Sequence, residues 1–300
     1  MQLDLYINNP NDYARDIGAP VYHPHVAIIH YDEVGPIRHS LNRFNVFGLF
    51  LQREFPEDLT YGIGTYVEGN GSLMAYAPGQ LGGKADNGTR RQYHGWVLLF
   101  DNTFVQGTEI ERRLNSYHFF SYNANEALFL TAEEKDILAV LMENIRKELV
   151  SHPGQEESDC IVKDYILLIL DYCNRFYARQ FKSLTAAGSD ILKRFQQVLI
   201  DYYRNNLQRA NGLPTVKYCA GELCLSPGYF GDIVRSAQGE SPKDYIRSFI
   251  VMQAKNLLIG GHGVSQVADK LGFEYPNHFT RLFKQATGMT PSQFLSSRKE

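Results

Sequence analysis

Residues Gly272–Pro291 read GFEYPNHFTRLFKQATGMTP. Phe279, Leu282, Phe283 and Ala286 fall at i, i+3, i+4 and i+7, the spacing of one buried face of an α-helix. Gly288 suits the left-handed residue that ends a helix. Just upstream, Val264–Leu271 predicts a short helix and Gly272 a tight turn. Two helices joined by a short Gly-containing turn are a helix-turn-helix, whose second helix can lie in the DNA major groove.

The pattern occurs twice. Moved back by 49 residues, Phe279 falls on Phe230, Leu282 on Ile233, Phe283 on Val234 and Gly288 on Gly239, while Thr290-Pro291 falls on Ser241-Pro242. Upstream the offset is 48, and Ala268, Leu271 and Gly272 fall on Ala220, Leu223 and Cys224. The first copy predicts a helix over Val216–Leu223. A second helix restarts at Ser226-Pro227, where Ser is a good N-cap and Pro fits the first helical position. Phe230, Ile233, Val234 and Ala237 form its apolar stripe. A helix from about Pro242 to Leu258, capped by Ser241, joins the copies. At ~1.5 Å per residue it reaches roughly 25 Å, near the ~34 Å between successive major grooves on one DNA face. Two reading helices on one arm suit adjacent grooves.

Charge agrees. The 300 residues carry a net charge of −3, yet residues 189–300 hold 14 Lys+Arg against 9 Asp+Glu. A basic end behind an acidic front fits a nucleic-acid module joined to a separate domain.

The carboxy-terminal third resembles the AraC/XylS transcription regulators. The matching text is AGELCLSPGYFGDIVRSAQGESPKDYI (220–246), AKNLLIGG (254–261) and VADKLGFEYPNHFTRLFKQATGMTPSQF (267–294). The Gly-Phe, the Phe-Lys before Thr-Gly and the Thr-Pro are its specific part. The resemblance implies two helix-turn-helix units on a linker helix over about 190–300, behind a cupin-like sensor and helices. It also leans toward activation, with RNA polymerase as a partner.

If each stripe faces the core, the opposite face meets DNA. In the second unit that face carries Asn277, Thr280, Arg281 and Lys284. Arg pairs bidentately with guanine and Asn with adenine, Thr reaches a thymine methyl or a phosphate, and Lys284 lies nearer a phosphate. The family's base-reading positions fall on Pro276, Asn277, Thr280 and Arg281. Pro276 has no side-chain donor or acceptor. In the first unit the outward residues are Gly228, Gly231, Asp232 and Arg235, with Tyr229 beside them. Two glycines offer no side-chain hydrogen bonds, so this unit is expected to read shape and the second to supply most base specificity. His278 and His262 read as surface and loop residues.

From about Val21 to Phe104, runs such as VAIIHY, NVFGLFLQREF, TYGIGTYVEG, SLMAYAPGQ and WVLLF are strand-like. Their spacing suggests an all-β barrel or sandwich, and a small barrel can enclose one small ligand. His23 and His25 form half a metal site at most, so no metal and no cofactor is expected. Arg90, Arg91, Tyr93, His94 and Trp96 are candidates for an anionic or sugar pocket. His23, His25, Arg91, Tyr93 and Trp96 make up the effector-binding set.

From Thr131 the pattern turns helical. Thr131 and Glu134 form a capping box, and Ile137, Leu138, Leu141 and Ile145 a stripe. A second helix is expected over about Asp159–Phe181, with Ile161, Tyr165, Leu168 and Tyr172 able to pair with another chain as a homodimer. LTAAGSD (184–190) reads as a flexible linker. Cys160, Cys173 and Cys219 read as buried free thiols of a reducing cytoplasm. No run of 18 apolar residues spans a membrane, and MQLDLYINNPNDYARD lacks a signal-peptide pattern.

The expected fold is α+β and multidomain: a cupin-like β-barrel (1–130), a helical dimerisation or packing segment (131–183), a linker (184–190) and an all-α domain with two helix-turn-helix units (191–300). The expected function is a cytoplasmic, nucleoid-associated, one-component regulator. It binds double-stranded promoter DNA and answers to a small molecule. Two alternatives stand beside it. One is a constitutive or architectural DNA-binding protein whose barrel only dimerises. The other is a cupin enzyme fused to a DNA-binding module.

Overall fold

A computed structural model of the chain describes residues 5–52, 71–123, 126–183 and 185–297, and the side chains of 183–190 lie outside that description. The chain divides into two units, Met1–Ser183 and Leu184–Glu300.

The first unit begins with β1 (Leu5–Ile7) and α1 (Pro10–Asp16), then β2 (Val26–His30), β3 (Ile37–Arg38), β4 (Leu41–Phe44) and β5 (Phe47–Gln52). The expected strand TYGIGTYVEG falls outside the described residues. The chain continues as β6 (Ser72–Tyr76), β7 (Leu81–Gly83), β8 (Arg90–Arg91) and β9 (Gly95–Phe100). Two short helices, α2 (Asn102–Val105) and α3 (Glu109–Arg113), and β10 (Leu128–Phe129) precede α4 (Ala132–Ser151) and α5 (Glu156–Ser183).

Among the described residues the strands form a five-stranded antiparallel sheet ordered β10-β6-β5-β9-β2, a three-stranded sheet β1-β4-β7 and a ribbon β3-β8. Every residue of β5 and β9 is buried, which is why these runs are continuously apolar rather than alternating. Register sorts them into two faces. Ile29 pairs with Val97 and Val97 with Phe50, and these residues share a core with Ile7, Tyr13, Phe44 and Tyr76. Ile28, Leu98 and Leu49 pair in the same way on the opposite face, where α4 packs. Gly82 on β7 has no side chain because Tyr76 lies there: a Cβ would sit 2.4 Å from its ring.

Helix α4 starts with the expected capping box, Thr131 and Glu134. Its buried stripe is Leu138, Met142, Ile145 and Leu149, so the helix is rotated from the expected face and Ile137 and Leu141 sit half-exposed on the other side. On α5 the core face is Val162, Ile166, Ile169, Leu170 and Cys173. Cys173 and Cys219 are buried, as expected, but Cys160 is exposed. It precedes the inward Val162 by two positions, which on a helix turns it outward.

The second unit is helical: α6 (Thr185–Arg204), α7 (Gln208–Asn211), α8 (Val216–Glu222), α9 (Pro227–Gln238), α10 (Pro242–Ile259), α11 (Val264–Lys270), α12 (Pro276–Thr287) and α13 (Pro291–Ser296). The expected linker 184–190 is corrected here, because residues 185–190 are the opening turns of α6. Ala186 and Ala187 are the strongest helix formers, and the lone Gly188 costs only about 1 kcal/mol against Ala. Helix α6 packs on α8 and α9, and α10 touches α9, α11, α12 and α13.

Candidate nucleic-acid interface

The two helix-turn-helix units are α8–α9 and α11–α12. Each turn needs one residue in the left-handed region. In the second it is Gly272, φ 84°; in the first it is Cys224, φ 58°. Gly272 is also hemmed in, since a Cβ there would lie 2.8 Å from Gln208 Cβ and 2.9 Å from Gln208 O. Tyr203 donates to Leu271 O at 3.3 Å and Gln208 Nε2 to Lys270 O at 3.1 Å. The end of α6 and α7 thereby grips the second turn. Gly239 (φ 74°) and Gly288 (φ 79°) end α9 and α12 in the left-handed conformation.

The stripes hold α9 and α12 by their inner faces. Phe230 meets Phe195 edge-on at 4.9 Å; Phe279 packs on Phe273 at 5.4 Å and Phe283 on Phe294 at 5.6 Å. The last stripe positions behave alike in both copies: Ala237 and Ala286 are exposed, so each stripe closes after two turns.

On α12 the outer face carries Pro276, Asn277, Arg281 and Lys284, all exposed, with Thr280 half-exposed. Among the described residues, Arg281 and Lys284 make no ion pair. The N-cap, Tyr275, makes no side-chain capping bond and is 54% exposed. Pro276 has no N–H and His278 N already donates to Tyr275 O at 3.0 Å, so in this first turn it is the Asn277 amide that is left for an outside acceptor, at a helix end that favours an anion such as a phosphate. Tyr275, whose ring lies 5.5 Å from His278, was missed by sequence reasoning. Its alignment with the capping Ser226 hid that the two copies begin differently.

The outer face of α9 differs. Gly228 and Gly231 are half-exposed, and a Cβ at Gly231 would meet nothing within 4 Å. Asp232 accepts from Arg235 Nη1 at 2.8 Å, so the one cation of this face is joined to a carboxylate. Tyr229 is corrected: it is 6% exposed and packs inward, because it shares a face with Ile233, four residues on. Ser226 caps the helix, accepting from Tyr229 N at 3.2 Å.

The five effector candidates are separated. Arg91 and Tyr93 line one cavity with Tyr13, Tyr31, Phe44, Phe50 and Tyr76. His23, His25 and Trp96 do not line it. His23 is buried, its Nε2 3.2 Å from Asp159, and burial pushes its pKa below the ordinary value. His25 pairs with Asp101 at 2.8 Å. Trp96 is buried, stacked on His30 at 4.3 Å with Arg146 over its ring. Each of these three is occupied by contacts of the fold. The candidate dimerisation residues do lie together. Ile161 and Leu168 are each 42% exposed on the outer side of α5, with Tyr165 and Tyr172 half-buried beside them. Across α4, Ile137, Val140 and Leu141 share a shallow groove with Leu168 and Tyr172.

Residues 219–297 match a family described as "Helix-turn-helix domain". The chain is 24% identical over 193 residues to the probable transcriptional regulator LumQ of Photobacterium leiognathi, covering 64% of this chain and 67% of LumQ. It is 30% identical over 112 residues to the uncharacterized transcriptional regulatory protein YesN of Bacillus subtilis, covering 36% of this chain and 28% of that protein. Among solved structures, the C-terminal domain of the two-component response regulator yesN from Fusobacterium nucleatum is 24% identical, with a TM-score of 0.29, covering 33% of this chain and 96% of that one.

Proposed function

We propose that the chain, whose residues 219–297 match a helix-turn-helix family, is a one-component DNA-binding transcriptional regulator of the AraC type, in which the front unit senses a small molecule and the back unit reads a promoter. The observation that carries the reading is the outer face of α12. Asn277, Arg281 and Lys284 stand exposed along one line of a helix whose other face is locked into the core by Phe279 and Phe283, both fully buried. A rigid helix with donors on its free face is what major-groove recognition uses.

Helix α10 is 18 residues long, or about 27 Å at ~1.5 Å per residue, and sets the two reading helices on one support. In this reading α12 supplies base contacts, with Arg281 on guanine and Asn277 on adenine. Helix α9, with its smooth glycine face, supplies backbone approach and shape. The chain works in the cytoplasm on double-stranded DNA, and the groove between α4 and α5 pairs two copies. Ligand binding to the front unit changes how the DNA units are presented and leads to activation through RNA polymerase.

Selection of binding sites from random DNA by the full-length chain, at stated salt, tests this. The expected result is a bipartite motif whose boxes lie about one helical turn apart, with more information in the box read by α12. Enrichment of no sequence, with only salt-sensitive binding, contradicts a sequence-specific regulator.

A further inference from the structure

The stretch between α1 and β2, residues 17–25, forms a strap in the front unit that is tied on three sides. Asn11 Nδ2 donates to His23 O at 2.8 Å and Asn9 Nδ2 to Pro24 O at 3.0 Å, which fixes the backbone to the start of α1. His25 Nδ1 lies 2.8 Å from Asp101 Oδ2, just past the end of β9. The buried ring of His23 faces α5. Its Nε2 lies 3.2 Å from Asp159 Oδ1 in the first turn of that helix, and Phe104 meets the ring edge-on at 5.1 Å.

The other ring nitrogen decides the charge. The His25 amide donates to His23 Nδ1 at 3.1 Å. A nitrogen that accepts carries no proton, so the ring is the neutral Nε2–H tautomer and donates to Asp159. An imidazolium holds a proton on both nitrogens, and its Nδ1–H would point at the His25 N–H. One added proton thus breaks this bond and sets a donor against a donor. The surroundings divide in sign. Burial is the largest influence and lowers the pKa; His25 and Lys163 of α5 lower it further, while Asp159 and Asp101 pull it up. The ring also has a way out. With Asn9, Asn11, Val21, Tyr22 and Pro24 it lines a shallow recess open to solvent, where Arg15 of α1, paired with Asp12 at 3.5 Å, stands as well. A charged ring regains in the recess the hydration that it lacks inside.

We propose that His23 is a proton-operated bolt: uptake of one proton at Nδ1 releases the His25 amide, sends the ring into the recess and frees the strap from the first turn of α5. The neutral ring holds the strap shut. Below about pH 6.5, where an exposed histidine titrates, each unit of pH raises the open fraction by up to about tenfold, until the closed form takes the proton too. The bolt goes beyond the regulator reading and stands independently of it.

Hydrogen exchange of the full-length chain, read by mass spectrometry at pH 7.5 and 5.5 and corrected for the intrinsic rate at each pH, tests the bolt. Peptides over residues 19–25 are expected to lose about tenfold in protection at pH 5.5, while those of β5 and β9 keep theirs. In His23→Gln, whose side chain stays neutral, the loss should shrink to less than about twofold. In His25→Gln, which keeps the donating amide, it should remain. Nitrogen-15 NMR of the histidine rings at pH 7.5 adds a reading on the unaltered chain, with the His23 signal assigned through its contact with the Phe104 ring. That signal should be the Nε2–H tautomer. Equal protection at the two pH values, a loss shared equally by β5 and β9, a loss kept in His23→Gln or abolished in His25→Gln, or an Nδ1–H or charged ring at pH 7.5 each overturns the proposal.

Discussion

Arg281 is exposed on α12 with no ion-pair partner among the described residues, so its removal costs the fold little. Arg281→Ala is expected to weaken the preferred site by about 1–3 kcal/mol and relax the choice at one base pair. Lys284→Ala should instead weaken all sequences alike and flatten the salt dependence. A competition assay over a panel of single-base variants separates the two patterns. Loss of discrimination at no position in Arg281→Ala would place the reading face elsewhere. In the front unit, His23 carries a pH dependence. Burial lowers its pKa although Asp159 pulls the other way. The unfolded chain, with an ordinary value of about 6.5, then binds more protons than the folded one below that pH. Stability rises with pH through this window and is lost as pH falls from about 6.5 toward the lowered value. Thermal melts between pH 7.5 and 5 should show this loss, and His23→Gln should make the curve flatter.

At the scale of the element, the two helix-turn-helix copies share a backbone and differ in how each meets its demands. Gly272→Ala should destabilise the second unit, since φ 84° is left-handed and the new Cβ would strike Gln208 at 2.8 Å. A loss of more than about 1 kcal/mol in a denaturant melt is expected. Gly231→Ala is the opposite case. Its Cβ meets nothing, so α9 should gain roughly 1 kcal/mol from helix propensity. If the smooth face lets DNA approach the backbone, the same variant should bind DNA less tightly while melting higher. Unchanged affinity would mean that α9 stays clear of the groove. The stop glycines, the caps at Ser226, Ser241 and Thr131 and the inward phenylalanines were all legible in the sequence, because each depends on a local rule of backbone geometry or helical period. The inward turn of Tyr229 was not. Nor was the full stripe of α4: of the expected Ile137, Leu138, Leu141 and Ile145, the core keeps Leu138 and Ile145 and takes Met142 and Leu149 in place of Ile137 and Leu141. Both stripes are apolar at helical spacing, and only the sheet packed against the helix selects one.

At the scale of the molecule, the stripe that α4 turns outward acquires a use. Val140 is 59% exposed and Leu168 42%, at neighbouring positions on two helices of the same groove. Apolar residues at such positions suit contact with a second copy of the chain. Leu168→Glu should leave the melting temperature nearly unchanged and convert a dimer to a monomer in light scattering. A wild-type chain that is already monomeric at micromolar concentration would sink the pairing. The front cavity is likewise a property of the whole unit. Arg91 and Tyr93 reach it from the β8–β9 segment, Asn42 and Phe44 from β4, Phe50 from β5 and Tyr76 from β6.

Sequence alone determined what depends on neighbours along the chain: the duplicated unit, the ends of its helices, the apolar face of α12 and hence the donors on its far side. These follow from the helical period and from the φ preferences of Gly and Pro, which act over a few residues. The tertiary structure decided what depends on distant partners. It turned His23, His25 and Trp96 into tied residues of the fold and extended α6 back through the expected linker. It chose the inward stripe of α4, and it gathered Arg91, Asn42 and three aromatic rings around one cavity. Those outcomes are set by which surfaces pack and which charges find partners, and residues far apart in sequence decide both.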